Sequence, residues 1–194
     1  AGSLFVWYLN KAEDAADWTG YHAKKANDSL TTTVTEAGMA VEYQSPGNGW
    51  KGLVLEKTLI ETRKLTGKLT FTYSSDMAIT SYRIHIVTDL GGSLTKNGTA
   101  DNYVDVSISD IIAGKHSAWT QTANADGSVT ATFDLSTLKH FASGKELRGL
   151  TIVTVTANKV TGTVTYKSIE LEKNLTGHDC QTHGHFMKEA TCSA

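Results

Sequence analysis

The chain has 194 residues and a formal net charge of −2, from 18 basic and 20 acidic residues. That length fits one domain that buries its core without metals or crosslinks. The near-balanced charge gives no electrostatic basis for binding nucleic acid, and no apolar run approaches the roughly 18 residues of a membrane-spanning helix. The composition, 40% hydrophobic and 20% charged, is that of a globular protein rather than a disordered one.

Short stretches rich in threonine and valine alternate apolar and polar residues along most of the chain, which predicts strands. Breaks rich in Gly, Asn and Asp separate them, and the clearest turn surrounds the single proline, Pro46. Helical periodicity is confined to single turns at 12–17 and 109–113. The predicted strands cover residues 4–9, 30–35, 39–43, 53–58, 151–156 and 160–171, and lie around 69–73, 82–86, 103–108 and 129–133.

About ten short strands joined by turn-rich loops predict an all-β fold, an antiparallel β-sandwich of the jelly-roll type. A strand that is buried on one side has a second face that looks away from the core. On two of the strands this face carries Arg83 with His85, and Tyr103 with Asp105. If those strands are neighbours in one sheet, the four side chains form a polar and partly aromatic surface. An ordinary solvated outer face fits the same pattern.

Motifs for catalysis are missing from the sequence. There is no nucleophile elbow, phosphate-binding loop, dinucleotide fingerprint or zinc-protease motif. Glycoside hydrolysis needs two opposed carboxylates, and the acidic residues lie mostly in charged contexts that are typical of solvated side chains. We therefore expect a binding domain rather than an enzyme, with the set Arg83, His85, Tyr103 and Asp105 as the only catalytic alternative to test.

The composition changes near residue 173, where we place the end of the sandwich domain (1–172) and the start of a separate segment (173–194). This segment crowds histidines and both cysteines into fifteen residues, in a spacing that fits no common zinc finger. The first part of a following module, a Cys180–Cys192 disulfide and a metal site are all consistent with it. The residues concerned are His178, Cys180, His183, His185 and Cys192.

The four tryptophans are the most informative side chains. Trp7 lies in an apolar strand and is expected in the core. Trp18, Trp50 and Trp119 lie in polar neighbourhoods, where a large apolar ring is often explained by a ligand. The alternative for each is a plug at an end of the sandwich.

A sugar is the natural partner for such rings, because one face of a pyranose is apolar while its hydroxyls need polar partners. Stacking that removes about 100 Å² of apolar surface gains about 2.5 kcal/mol before the costs of ordering and desolvation. Two or three such rings therefore predict micromolar to millimolar affinity for a polysaccharide or oligosaccharide.

The order of local patterns resembles jelly-roll carbohydrate-binding modules, most closely the mannan-binding modules of family 27. Residues 12–18 look like a stretch that follows the first strand and ends in a binding tryptophan, and 38–43 look like the next strand. Residues 46–50 look like a loop that presents a second tryptophan, and 164–171 look like the closing strand. The resemblance covers residues 4–172.

The resemblance implies that Trp18 and Trp50 stack on sugar rings and that Tyr103 takes the place of a third aromatic residue. Trp119 has no counterpart, and it either extends the site or serves the core. The implied function is non-catalytic binding of a β-mannan or a related plant glycan. A starch-binding module and a protein-interaction or adhesion domain are the alternatives.

Modules of this kind often hold a structural calcium through acidic residues on the first and last strands. This chain has Asn10 and Lys167 near those positions, and a charged lysine does not ligate a cation. We therefore expect no cofactor in the sandwich domain, with a structural calcium as the alternative. The presumed ligand and the His/Cys segment favour a secreted or cell-surface protein, in which this domain is a monomer within a multimodular chain.

Overall fold

The structure, a computed structural model, describes residues 4–22, 30–43 and 49–175. Residues 176–194, which include all the histidines and cysteines of the predicted segment, and most of the predicted turn around Pro46 lie outside these ranges. Within them the chain forms fourteen strands, three short α-helices and two 3₁₀ turns. No helix in these ranges has the length and apolar character needed to cross a membrane.

The strands follow one another along almost the whole described chain. In chain order they are β1 (Leu4–Tyr8), β2 (Trp18–His22), β3 (Leu30–Thr35), β4 (Gly38–Tyr43), β5 (Trp50–Leu55), β6 (Ile60–Glu61), β7 (Leu65–Ser75), β8 (Ser81–Thr88), β9 (Gly91–Gly92), β10 (Tyr103–Ser107), β11 (Trp119–Ala123), β12 (Val129–Asp134), β13 (Glu146–Val155) and β14 (Gly162–Lys173). The helices are α1 (Ala12–Ala15), α2 (Ile108–Ile112) and α3 (Lys139–Ser143), and the 3₁₀ turns are Thr62–Lys64 and Leu135–Thr137.

Two antiparallel sheets of seven strands each make up the fold. Sheet 1 has the order β11-β12-β7-β14-β4-β3, with β1 paired to β14. Sheet 2 has the order β10-β8-β13-β5-β2, with β6 paired to β13 and β9 to β8. The prediction of an all-β antiparallel sandwich is confirmed.

The core lies between the two sheets, as the alternation of side chains along each strand requires. In β7, Leu69, Phe71 and Tyr73 are buried, while the threonines between them face outward. Along β8, Tyr82 fills the same core, and its hydroxyl is hydrogen-bonded to that of Tyr73. The predicted apolar faces of these two strands are therefore confirmed.

Trp119 belongs to this core, with 3% of the residue exposed. It is the first residue of β11 and turns inward, with its ring stacked on Tyr82 at 4.9 Å between ring centres and tilted against Phe133 at 5.3 Å. The polar residues that precede Trp119 in the sequence lie in a loop, and they do not surround the ring in space. The prediction of a ligand-facing ring is wrong, and the core alternative is correct.

Trp18 is buried in the same way, with 2% of the residue exposed. It begins β2, and its ring meets Trp7 edge-on at 5.5 Å between ring centres. The Trp7 indole N–H donates a 2.9 Å hydrogen bond to the Asp17 carboxylate, which explains the acidic residue beside Trp18 without a ligand. The expectation that Trp18 offers an exposed face is therefore wrong.

Several elements differ from the sequence prediction, including the two-residue strands β6 and β9, which were not predicted. The strand expected at 53–58 begins at Trp50 and ends at Leu55, so Trp50 lies on a strand rather than in a loop. Strands β2 and β11 were not predicted, because threonine, glycine and glutamine dilute their alternation. The two predicted helical turns correspond to α1 and α2, and α3 was missed.

The burial of Trp119 generates a stability prediction. Replacing Trp119 with Ala leaves a large cavity against Tyr82 and Phe133, and we expect the free energy of unfolding to fall by about 3–5 kcal/mol. Urea unfolding followed by circular dichroism measures the change. Trp119→Phe should lose clearly less, because it retains an aromatic ring in the cavity. A loss below about 1 kcal/mol for Trp119→Ala would contradict the core assignment.

Candidate functional site

The outer face of sheet 2 gathers most of the side chains that the sequence singled out. Strand β10 pairs with β8, which places Tyr103 opposite His85 and Asp105 opposite Arg83. Since the intervening residues of β8 fill the core, these four side chains point away from it. The condition stated in the sequence analysis, that the two strands are neighbours in one sheet, is met.

Trp50 reaches the same face from the opposite side of β13. It pairs with Val155, while Arg83 pairs with Val153, and β13 lies between the two strands that carry them. The two long side chains lean toward each other across β13, and the Arg83 Cζ atom lies 3.9 Å from the centre of the indole ring. Val153 and Val155 are consequently buried although they face outward, at 0% and 7% exposure.

Gly52 makes this close packing possible within β5. It pairs with Val153 on the same outer face. A Cβ atom added at Gly52 would clash with the carbonyl oxygen of Ile152 on the neighbouring strand. The position therefore requires glycine, and the missing side chain leaves room above the centre of the sheet.

The Arg83 guanidinium is held from several directions. Its Nη2 atom lies 3.3 Å from the Asp105 carboxylate, and Nη1 lies 3.5 Å from the side-chain oxygen of Asn97. The Arg83 side chain is 13% exposed, whereas Asp105 is 44% exposed. Arg83 Nε has no acceptor among the residues that the structure describes. Stacking on an aromatic ring together with a carboxylate partner fixes the plane of the guanidinium.

Two tyrosines flank this arginine. Tyr103 packs edge-on against His85 at 4.7 Å between ring centres, and burial raises the pKa of its phenol to about 12. Its hydroxyl is buried without a partner in the described part of the chain. Tyr21, on β2, donates a 3.0 Å hydrogen bond to the carbonyl oxygen of Thr95, and burial raises its pKa against the opposing effect of Arg83. Both phenols are therefore neutral donors at physiological pH.

His85 lies beneath this surface rather than on it, with 2% of the residue exposed. Its Nδ1 atom is 3.1 Å from the carbonyl oxygen of Lys96, so this nitrogen carries the proton and donates. Burial, more than any other effect, lowers the pKa of the imidazole. The expectation that His85 touches a ligand directly is wrong, because the ring has almost no exposed surface and supports the backbone instead.

The structure thus brings four of the seven predicted binding residues together at the surface. Trp50, Arg83, Tyr103 and Asp105 form a continuous group with Tyr21, which sequence reasoning missed. Tyr21 lies three residues after Trp18 on a strand that was not predicted, so no pattern indicated which way it points. We call these five side chains the Trp50–Arg83 surface.

The described residues form no cluster of side chains suited to bind a metal ion. Within residues 4–22, 30–43 and 49–175, no three His, Cys, Asp or Glu side chains converge to form a ligand set. Lys167, which replaces the acid expected at a calcium site, forms a 3.1 Å ion pair with Asp126. A cation would compete with this ammonium group, so the residues present do not fit calcium at this position.

A surface cavity of about 550 Å³ lies near the opposite end of sheet 2. Asp89, in its wall, accepts hydrogen bonds from the backbone N–H groups of Lys145 and Glu146 at 2.7 and 2.9 Å. These bonds lower the pKa of the Asp89 carboxyl. They tie the turn after β8 to the start of β13, which gives Asp89 a structural role.

No protein-family model and no curated protein matches the chain. The similar solved structures are mostly carbohydrate-binding modules, as the resemblance predicted. A family 28 module specific for non-crystalline cellulose is 12% identical, with a TM-score of 0.49 over 81% of this chain and 88% of its own. A mannan-recognising family 27 module is also 12% identical, with a TM-score of 0.44 over 88% and 96%.

An adhesin domain has a similar level of likeness. The K1 cleaved adhesin domain of Lys-gingipain from Porphyromonas gingivalis is 14% identical, with a TM-score of 0.43 over 89% of this chain and 99% of its own. Structural similarity at this level of identity does not assign a ligand to this chain.

The buried neutral imidazole predicts how stability depends on pH. The pKa of His85 in the folded protein lies below its ordinary value of 6.5, so the unfolded chain takes up a proton that the folded chain resists. Stability should therefore fall as the pH drops below about 6.5. His85→Gln should flatten this dependence in urea unfolding at pH 7, 6 and 5. His116→Gln, which leaves the buried imidazole in place, is the control, and equal slopes for both variants would refute the assignment.

Proposed function

We propose that this domain binds a neutral polysaccharide without catalysis, on the outer face of sheet 2. Trp50 provides the stacking ring, Arg83 and Asp105 provide the polar groups beside it, and Tyr103 and Tyr21 support this arrangement from its flanks. The observation that carries the proposal is the partly exposed indole fixed by a guanidinium at 3.9 Å, with a carboxylate beside it. An apolar ring and hydrogen-bonding groups at one spot match the two faces of a pyranose.

Rigidity supports this role. A ring that is already held in place loses little conformational freedom when a ligand stacks on it. Arg83 packs on the Trp50 indole and is itself paired with Asp105, so three side chains restrain one another before any ligand arrives. Covering about 100 Å² of apolar surface gains roughly 2.5 kcal/mol. Because little of this gain is lost to ordering the ring, more of it contributes to the binding free energy.

The charge of the surface favours a neutral sugar. A uronate or sulfate is bound best by an arginine that is able to offer two parallel N–H donors. Arg83 is already engaged by Asp105 and Asn97. The exposed Asp105 carboxylate repels anions and accepts hydrogen bonds from sugar hydroxyls.

The arrangement of acids supports binding rather than hydrolysis. Glycosidases place two carboxyl groups on opposite sides of the scissile bond. Among the described residues of the Trp50–Arg83 surface, Asp105 is the one carboxylate, and it is paired with Arg83. The neighbouring His85 is buried and engaged with the backbone, which removes it as a proton donor to a ligand.

We extend the proposal to a β-mannan or a related plant glycan as the ligand, following the sequence resemblance. Starch is the main competitor, because a single indole with flanking tyrosines also suits a curved chain. Polysaccharides are met outside the cell, so the domain is secreted or at the cell surface. There it would act as a monomeric module that brings an attached enzyme or surface protein to its substrate.

Affinity gel electrophoresis in the presence of mannan, β-glucan, xylan, starch or polygalacturonate tests the proposal. We expect retardation by at least one neutral polysaccharide and none by polygalacturonate. Trp50→Ala should weaken binding at least tenfold, because it removes the stacking ring and frees Arg83. Tyr8→Ala is the matched control, because Tyr8 is an exposed aromatic residue (49%) on sheet 1, and it should leave retardation unchanged.

Two outcomes would overturn the proposal. One is the absence of retardation by every polysaccharide, which would favour a protein-interaction domain. The other is equal binding by the wild type and Trp50→Ala. Retardation by starch alone would keep the binding role and replace mannan as the ligand.

A further inference from the structure

The connection between β9 and β10 crosses the outer face of sheet 2. Three successive backbone carbonyls in it each accept a hydrogen bond from a side chain of the sheet. Leu94 accepts from Thr151 Oγ1 at 2.7 Å, Thr95 from the Tyr21 hydroxyl at 3.0 Å, and Lys96 from His85 Nδ1 at 3.1 Å. We call residues 93–97 the strap.

The three anchors come from three different strands, β13, β2 and β8. The strap therefore lies over the middle of the sheet, with its carbonyls directed to strands on both sides, and it covers outward-facing residues. Thr151 and Val54 face outward but are 0% and 5% exposed. Leu94 packs over Gly149, where an added Cβ atom would lie 2.8 Å from the leucine Cδ2 atom.

The strap is also organised internally. The Ser93 hydroxyl accepts hydrogen bonds from the backbone N–H groups of Thr95 and Lys96 at 3.2 and 3.0 Å. At the far end, Asn97 approaches the Arg83 guanidinium. The exposed side chains of Lys96 and Asn97 therefore border the Trp50–Arg83 surface. Three anchoring hydrogen bonds to one five-residue segment together restrict its movement.

The uncovered part of the face is small. Between β5, which carries Trp50, and β10, which carries Asp105, there are three strand spacings, or about 14 Å. Along the strands, the rows of Trp50 and Arg83 are two residues apart, about 7 Å. An extended sugar unit advances by about one strand spacing, ~5 Å, so the open area holds about three units across the strands.

We infer that the strap closes one side of the binding face and limits the ligand to a short segment of about three neutral sugar units. This inference rests on the proposed function. Thr151, Tyr21 and His85 are positioning residues that hold the strap, and Asn97 is a specificity-determining residue at its edge. A chain lying beside the strap contacts Trp50, Arg83 and Asp105, while the part of the face beneath the strap contributes nothing to affinity.

Isothermal titration calorimetry with manno-, cello-, xylo- and malto-oligosaccharides of one to six units tests the footprint. For whichever series binds, we expect affinity to rise up to three units and to change less than twofold from four to six. A continued rise of more than threefold per added unit beyond four would overturn the inference while leaving the proposed function intact. Failure of every oligosaccharide and every polysaccharide to bind would overturn both.

The anchors are tested by Thr151→Val and Tyr21→Phe, singly and together. Each removes one hydroxyl and preserves the shape of the side chain. We expect faster amide hydrogen exchange at residues 94–97, and at least a threefold loss of affinity for the trisaccharide or a plateau that moves to longer chains. Asn97→Ala should change the preference among the four series with the exchange rates unaltered.

Thr72→Val is the control, because its hydroxyl pairs with Thr130 on the outer face of sheet 1. It should leave both the exchange rates of residues 94–97 and the length dependence unchanged. If the anchor variants lower stability but retain the wild-type length dependence and trisaccharide affinity, the strap is only structural and the inference fails.

Discussion

The Trp50–Arg83 surface depends on one contact, the stacking of the Arg83 guanidinium on the Trp50 indole across β13. The contact joins side chains of two strands, β5 and β8, that are separated by β13. It buries Val153 and Val155 on a face that would otherwise be exposed to solvent, and it orients Arg83 toward Asp105. A ring fixed in this way is a rigid platform, and its polar neighbours are already in place.

The two faces of sheet 2 therefore have different tasks. The inner face, together with sheet 1, forms an aromatic core in which Trp18 and Trp119 are structural. The outer face is divided between the part beneath the strap and the partly exposed Trp50–Arg83 surface beside it. His85 links the two, because it packs against Tyr103 and donates to the strap. Burial and the charge of Arg83 both lower the pKa of this imidazole.

Much of this arrangement could be predicted from alternation along the strands. Period-2 patterns predicted the sandwich, and they assigned Arg83 and His85, and likewise Tyr103 and Asp105, to the outward face of their own strand. That the two strands are neighbours follows only from the β8–β10 pairing in the structure. The exposure of the tryptophans could not be predicted from polar neighbours, because the direction of a strand residue is set by register. Trp119 faces the core although it follows a polar loop. The strap and Tyr21 depend on contacts between residues 74 positions apart in sequence, which no local pattern encodes.

The most direct test of the account is a titration with soluble mannan oligosaccharides, and with malto-oligosaccharides in parallel, observed at the indole N–H signals in a nitrogen–proton correlation spectrum. The four tryptophans give four resolved reporters, of which Trp50 alone lies on the proposed surface. The account predicts that the Trp50 signal shifts in a saturable manner with one of the two ligands, while those of Trp18 and Trp119 change little. A shift confined to Trp18 or Trp119, or none at Trp50 when binding is otherwise detected, would contradict it.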